Sequence, residues 1–219
     1  QRLCNWRSVI SCSMAKQIST HIGSSSDAFS IRKRSSSVRR LTRNPETPLE
    51  ETLQALVDIV RSGKALYIGI SRWPLHALKT AIKYLSERDV PPLIYQGRLN
   101  MLDKAPLEEG ILEECRNNGI GFISFSPLAQ GLLTDRYLQG SVPQDSRMSQ
   151  GRFLKPEMLT PELLAQLQEL NAKALEQEQS LAEMALRWIL EQQGVTSVLV
   201  GASSVEQLKK NIKAGELQR

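Results

Sequence analysis

Histidine is almost missing from this 219-residue chain, which has only His21 and His76. Cysteine is scarce as well: Cys4, Cys12 and Cys115, with no two at CxxC spacing. Clustered His and Cys ligands are what a structural zinc ion needs, so a zinc site is excluded as an expectation. Nor do three cysteines make a disulfide framework, and a reducing, cytoplasmic setting is expected. No apolar run approaches the roughly 20 residues of a bilayer span, so no membrane partner is expected. GxGxxG, Walker A and GxSxG are all absent, which removes the glycine-rich phosphate loops and the nucleophile elbow.

Acidic residues are missing from one end only. Residues 1–44 carry nine Arg or Lys against a single acid, Asp27. Residues 45–219 hold 19 basic and 22 acidic residues, so the net charge of +5 belongs to the leader. The body offers no electrostatic case for binding nucleic acid, and none is expected as a partner. The leader is rich in serine, at Ser24–Ser26 and Ser35–Ser37, and weak in hydrophobic periodicity. That composition suits a transit peptide, a disordered segment or sequence read out of frame. A disordered or foreign leader over 1–44 and an ordered body over 45–219 are the expectation.

What is present in the body is a regular alternation. The stretch 119–133, GIGFISFSPLAQGLL, predicts a buried parallel strand over 120–125, covered on both faces and ended by Ser126-Pro127. Similar strands are predicted at 65–70, 93–96 and 196–200. Between them lie helical stripes: Leu49, Leu53, Leu56, Val57 and Val60, with Thr47 and Glu50 as a capping box and Gly63 as the stop; then helices near 74–87 and 106–117. Thr160-Pro161 and the Ser180–Glu183 capping box open two more helices, and a last one covers about 204–214. The connection from 134 to 160 is long enough to be functional. Four strands alternating with helices predict a parallel α/β sheet. Ligands of such sheets sit at the C-terminal ends of the strands.

Taken one at a time, the residues at those ends have plain readings. Ser71 ends a strand, Phe125 fills core, Arg136 and Arg147 are solvated, and Ser203 and Ser204 are helix caps. Their joint pattern says more. The segments GKALYIGISRW (63–73), Gln96 with Asn100, FSPLAQGLLT (125–134) and VLVGASSVEQL (198–208) together resemble the aldo-keto reductases. Within that family the resemblance is to the branch of bacterial glyceraldehyde-3-phosphate reductases and voltage-gated potassium-channel β-subunits.

The resemblance implies the C-terminal half of a (β/α)8 TIM barrel after an irregular leader. It implies NADPH as cofactor and a small aldehyde or ketone as substrate, reduced to an alcohol. In that frame Ser71 and Gln96 would meet the nicotinamide carboxamide, with Arg72 beside them, and Phe125 would stack on the ring. Ser126, Pro127, Leu128, Gln130 and Gly131 would wrap the pyrophosphate, with Arg136 and Arg147 supplying charge. Gly201, Ser203 and Gln207 would open the last helix toward phosphate, and Asn211 would reach adenine. Lys210 stands where the branch often has glutamate. The family's catalytic Asp, Tyr, Lys and His belong to earlier loops that are not recognisable here, so no catalytic residue is assigned. A truncated reductase is therefore expected, with self-association through exposed sheet edges. The competing expectations are a cofactor-binding or interaction module without catalysis, and a non-functional fragment.

Overall fold

A computed structural model describes residues 8–11, 48–140 and 155–215. Strand β1 is Ser8–Ser11 and helix α1 is Leu49–Arg61. Then come β2 (Ile68–Ser71), α2 (Leu75–Ser86) and β3 (Pro92–Arg98). Two short helices, α3 (Ala105–Glu108) and α4 (Ile111–Asn117), lead to β4 (Gly121–Phe125). Helices α5 (Pro161–Glu176) and α6 (Leu181–Glu191), strand β5 (Val195–Val200) and helix α7 (Val205–Gly215) complete the order. The strands form one sheet in the order β1-β5-β4-β3-β2, every pair parallel. This is the α/β alternation the sequence predicts, with one strand more. Strand β1 comes from the leader and pairs Val9 with Val198 and Ile10 with Leu199. The rest of residues 1–44 lies outside the described residues.

The helices cover one face of the sheet, and strand parity decides which residues they meet. Phe122 and Ser124 of β4 are fully buried. Gly121, Ile123 and Phe125, on the other face, are only half-buried. The expectation of a strand covered on both faces is corrected accordingly. Leu53 and Val57 of α1, and Leu78 and Leu85 of α2, reach complete burial in the same core. Each such side chain contributes roughly 2 kcal/mol relative to an exposed one.

Helix boundaries differ from expectation in two places, each for a local reason. Pro48 is extended (ψ 139) and sits at the N-cap of α1, with no side-chain cap bond. The box expected from Thr47 and Glu50 rests on Thr47, which lies outside the described residues. The helix expected near 106–117 is split in two, because Gly110 takes φ +76 between α3 and α4. That left-handed turn cannot continue a right-handed helix. Strand β2 is shorter than expected, and Leu66 and Tyr67 before it are exposed. Strand β3 is longer, running on to Arg98.

A second, smaller core lies beyond the C-terminal end of β4. Leu133 and Tyr137, from the loop after that strand, pack with Leu167 and Ala174 of α5 and Leu181 and Ala185 of α6. The loop is thus anchored before it enters residues 141–154, which lie outside the description.

Candidate functional site

The site begins where β4 stops. Ser126 has φ +52, Ala129 +45, Gln130 +62 and Gly131 +105. Three non-glycine residues in the left-handed region within five positions cost about 1–3 kcal/mol each, and such strain clusters at ligand sites. The turn holds itself through Ala129 N to Ser126 O at 3.0 Å and Gly131 N to Leu128 O at 2.8 Å. Leu133 N also donates to Leu128 O, at 3.2 Å. Thr134 Oγ1 donates to Gly131 O at 2.6 Å and accepts from Arg136 N at 3.4 Å, which starts a short 3-10 turn over Asp135–Tyr137. Arg136 is thereby set beside the turn.

Opposite lies the loop from β5 into α7. Ser204 Oγ caps the helix by accepting from Gln207 N at 3.1 Å. Gln207 Oε1 reaches back and accepts from both Ser203 N, at 2.8 Å, and Ser203 Oγ, at 3.0 Å. A helix N-terminus presents partial positive charge to whatever lies before it.

Between the two loops is a cavity of about 490 Å³. Nine of the fifteen residues singled out from the sequence line it: Ser126, Pro127, Leu128, Gln130, Gly131, Arg136, Gly201, Ser203 and Gln207. Thr134, Tyr137, Leu199, Val200 and Ala202 line it too and were missed. Thr134 closes the segment FSPLAQGLLT, and only the length of the 134–160 connection hinted at Tyr137. Nothing in the sequence says that the Asp135–Tyr137 turn folds back on the wall.

Three more of the predicted residues follow from register. Ser71 pairs with Gln96 and Gln96 with Ile123, so these lie in one row across the sheet. Phe125 is two residues beyond Ile123 and therefore on the same face. All four are half-buried. Asn211 of α7 is only 3% exposed, and its Nδ2 has no hydrogen-bond partner among the described residues. A buried donor left so is a costly arrangement unless something accepts from it.

The sequence matches the profile of the aldo/keto reductase family over residues 42–219. The chain belongs to the aldo/keto reductase family. L-glyceraldehyde 3-phosphate reductase of Escherichia coli is 48% identical over 172 residues, 77% of this chain and 49% of that protein. A probable voltage-gated potassium channel subunit beta of Arabidopsis thaliana is 33% identical over 171 residues, 77% of this chain and 52% of that one. A crystal structure of a thermostable aldo-keto reductase with the inhibitor epalrestat superposes with a TM-score of 0.56 at 28% identity. That match covers 80% of this chain and 52% of that one. The chain thus spans about half the length of the curated relatives it matches.

Of the other residues singled out from the sequence of this aldo/keto reductase, Ser71, Arg72, Gln96, Phe125 and Asn211 do not line that cavity. Arg72 (φ +59) donates its backbone N–H to Gln96 O at 3.1 Å, and the residue lines a separate space of about 290 Å³. Trp73, Tyr95, Arg98 and Asp103 also line that space, where Arg98 Nε meets Asp103 Oδ2 at 2.5 Å. Tyr95 donates its hydroxyl to Trp73 O at 2.7 Å, and burial above all pushes that phenol far up, so it stays protonated. Arg147 lies outside the described residues. Among the described residues no three His, Cys, Asp or Glu gather to hold a metal ion, and no helix is long and apolar enough to cross a membrane.

Proposed function

We propose that this chain is the cofactor-binding part of an NADPH-dependent reductase that converts a small aldehyde or ketone to an alcohol. The observation that carries the reading is the 490 Å³ cavity, which joins a strained turn, an arginine and a helix N-terminus. Its donor set suits a phosphorylated dinucleotide. The Arg136 guanidinium and the N-terminus of α7 favour an anion. Asn211 does not line the cavity and is proposed as an adenine contact on the resemblance alone. NADPH, when bound, supplies hydride to a carbonyl carbon. The chain's own residues have other tasks: the Ser126–Gly131 turn and Arg136 hold phosphate, Ser71 and Gln96 orient the amide end, and Phe125 offers a ring face. Arg147 and Arg72 are proposed as further cofactor contacts on the resemblance alone. No residue is assigned to proton transfer. Cys115 is a buried free thiol, which suits a reducing, cytoplasmic setting.

Titration of the purified chain with NADPH, read by tryptophan quenching and nicotinamide fluorescence, tests the reading. Saturable binding at micromolar concentration is expected. A folded chain that shows none would overturn it. An aldehyde added to the saturated complex then reads turnover separately from binding.

A further inference from the structure

Strands β3 and β4 are stitched together beyond their ladder, and the last stitch ends on the strained turn. Asn100 is only 2% exposed, although it lies in the loop after β3. Its Oδ1 accepts from Leu102 N at 3.0 Å and Asp103 N at 2.9 Å, while its backbone exchanges bonds with Asp103. One half of the amide therefore organises its own loop. The other half does something else: Nδ2 donates to Ser126 O at 3.1 Å, across to the end of β4. Ser126 O is also the acceptor that closes the turn, from Ala129 N. A carbonyl held by two donors cannot swing, and Ser126 is where the left-handed run begins (φ +52).

We propose that Asn100 is the positioning residue of the cofactor turn. It touches no phosphate itself, but its side-chain amide holds the Ser126 peptide in the one orientation that presents the Ser126–Gly131 turn to the cavity. The proposal rests on the cofactor reading above. The chemistry is specific to a carboxamide, because one group must both accept from its own loop and donate to the next. Ser124 supplies the natural contrast. Its Oγ donates to Leu99 O at 2.8 Å, one register step earlier, and both residues are fully buried. That stitch joins the same two segments without touching the turn.

Asn100→Asp separates the two halves of the amide. An oxygen remains for the Leu102 and Asp103 amides, while an acceptor replaces the donor opposite Ser126 O. The full 219-residue chain is measured as wild type, Asn100→Asp and Ser124→Ala, by NADPH titration and by amide hydrogen exchange without cofactor. Asn100→Asp is expected to weaken NADPH about tenfold and to speed exchange within residues 126–133 more than in the rest of the sheet. Ser124→Ala is expected to lower the melting temperature with NADPH affinity unchanged. Wild-type affinity in Asn100→Asp, or an exchange pattern no different from that of Ser124→Ala, overturns the proposal. If the wild-type chain binds no NADPH, the cofactor reading falls, and local exchange alone decides whether Asn100 holds the turn.

Discussion

Gly97 lies so close under the Phe122 ring that a methyl group there would meet its Cζ at 2.6 Å. The same ring stacks on Tyr95 with centroids 5.7 Å apart, so it has little freedom to retreat. Gly97→Ala should lower stability by about 1–3 kcal/mol, seen as a lower urea midpoint; an unchanged midpoint would mean that the ring is loosely held. Cys115 gives a chemical test of the same core. Burial first, and the nearby Glu114 second, push its thiol up to about 12. At pH 8 it should therefore resist maleimide in the folded chain, and peptide mass spectrometry should find it labelled only after denaturant is added. Arg136 belongs to the site. Arg136→Ala should weaken NADPH about tenfold and reduce the salt dependence of binding, since one charge-assisted contact is lost.

Among the helices, α6 has the most explicit start signal. Ser180 Oγ accepts from Glu183 N at 3.3 Å, and Glu183 Oε2 accepts in return from Ser180 N at 2.9 Å. This reciprocal pair satisfies two otherwise orphaned donors. The bond from the Ser180 amide holds the Glu183 carboxyl below its ordinary value of 4.5, helped by the Ser180 hydroxyl, Lys213 and Arg187 against a smaller effect of burial. A carboxyl whose folded value is depressed adds stability that is complete above 4.5 and disappears as pH falls through the folded value. The melting temperature should accordingly drop below pH 4.5 in the wild type and drop less steeply in Glu183→Gln. Equal slopes would show that the box titrates like free carboxylate. Ser180→Ala should cost about 1 kcal/mol at neutral pH. At the other extreme α1 starts on Pro48 without a side-chain cap, and its burial of Leu53 and Val57 holds it instead.

The molecule as a whole joins a well-buried helix side of the sheet to a less buried opposite side, and the site lies at the strand ends between them. The turn after β4 is anchored by Leu133 and Tyr137 in a core of its own. A ligand in the cavity would tie that small core to β5 and α7. Saturating NADPH should therefore raise the melting temperature of the entire chain: at a hundredfold excess over Kd the linkage is worth about 2.7 kcal/mol. At the same NADPH concentration the shift should fall to about half in Arg136→Ala, since a tenfold weaker site leaves about 1.4 kcal/mol. A shift of equal size in that variant would mean that the cofactor is held elsewhere.

The alternation of strands and helices was legible because period-two and period-3.6 apolar patterns are local. Leu78, Ile82 and Leu85 fall on one face of α2 whatever lies around it, and Ser180 with Glu183 makes a box within four residues. The candidate site was legible as motifs at strand ends, and nine of its residues do line one cavity. Other features needed tertiary structure. Only the packing of β4 against the helix side decided that Phe122 is buried while Phe125 is half open, since both are phenylalanines in the same apolar run. Only the fold put Thr134 and Tyr137 on the cavity wall and placed Arg72 beside a different space. The bond from Asn100 to Ser126 spans 26 residues, and no local pattern encodes a contact that exists only once two neighbouring strands are in register.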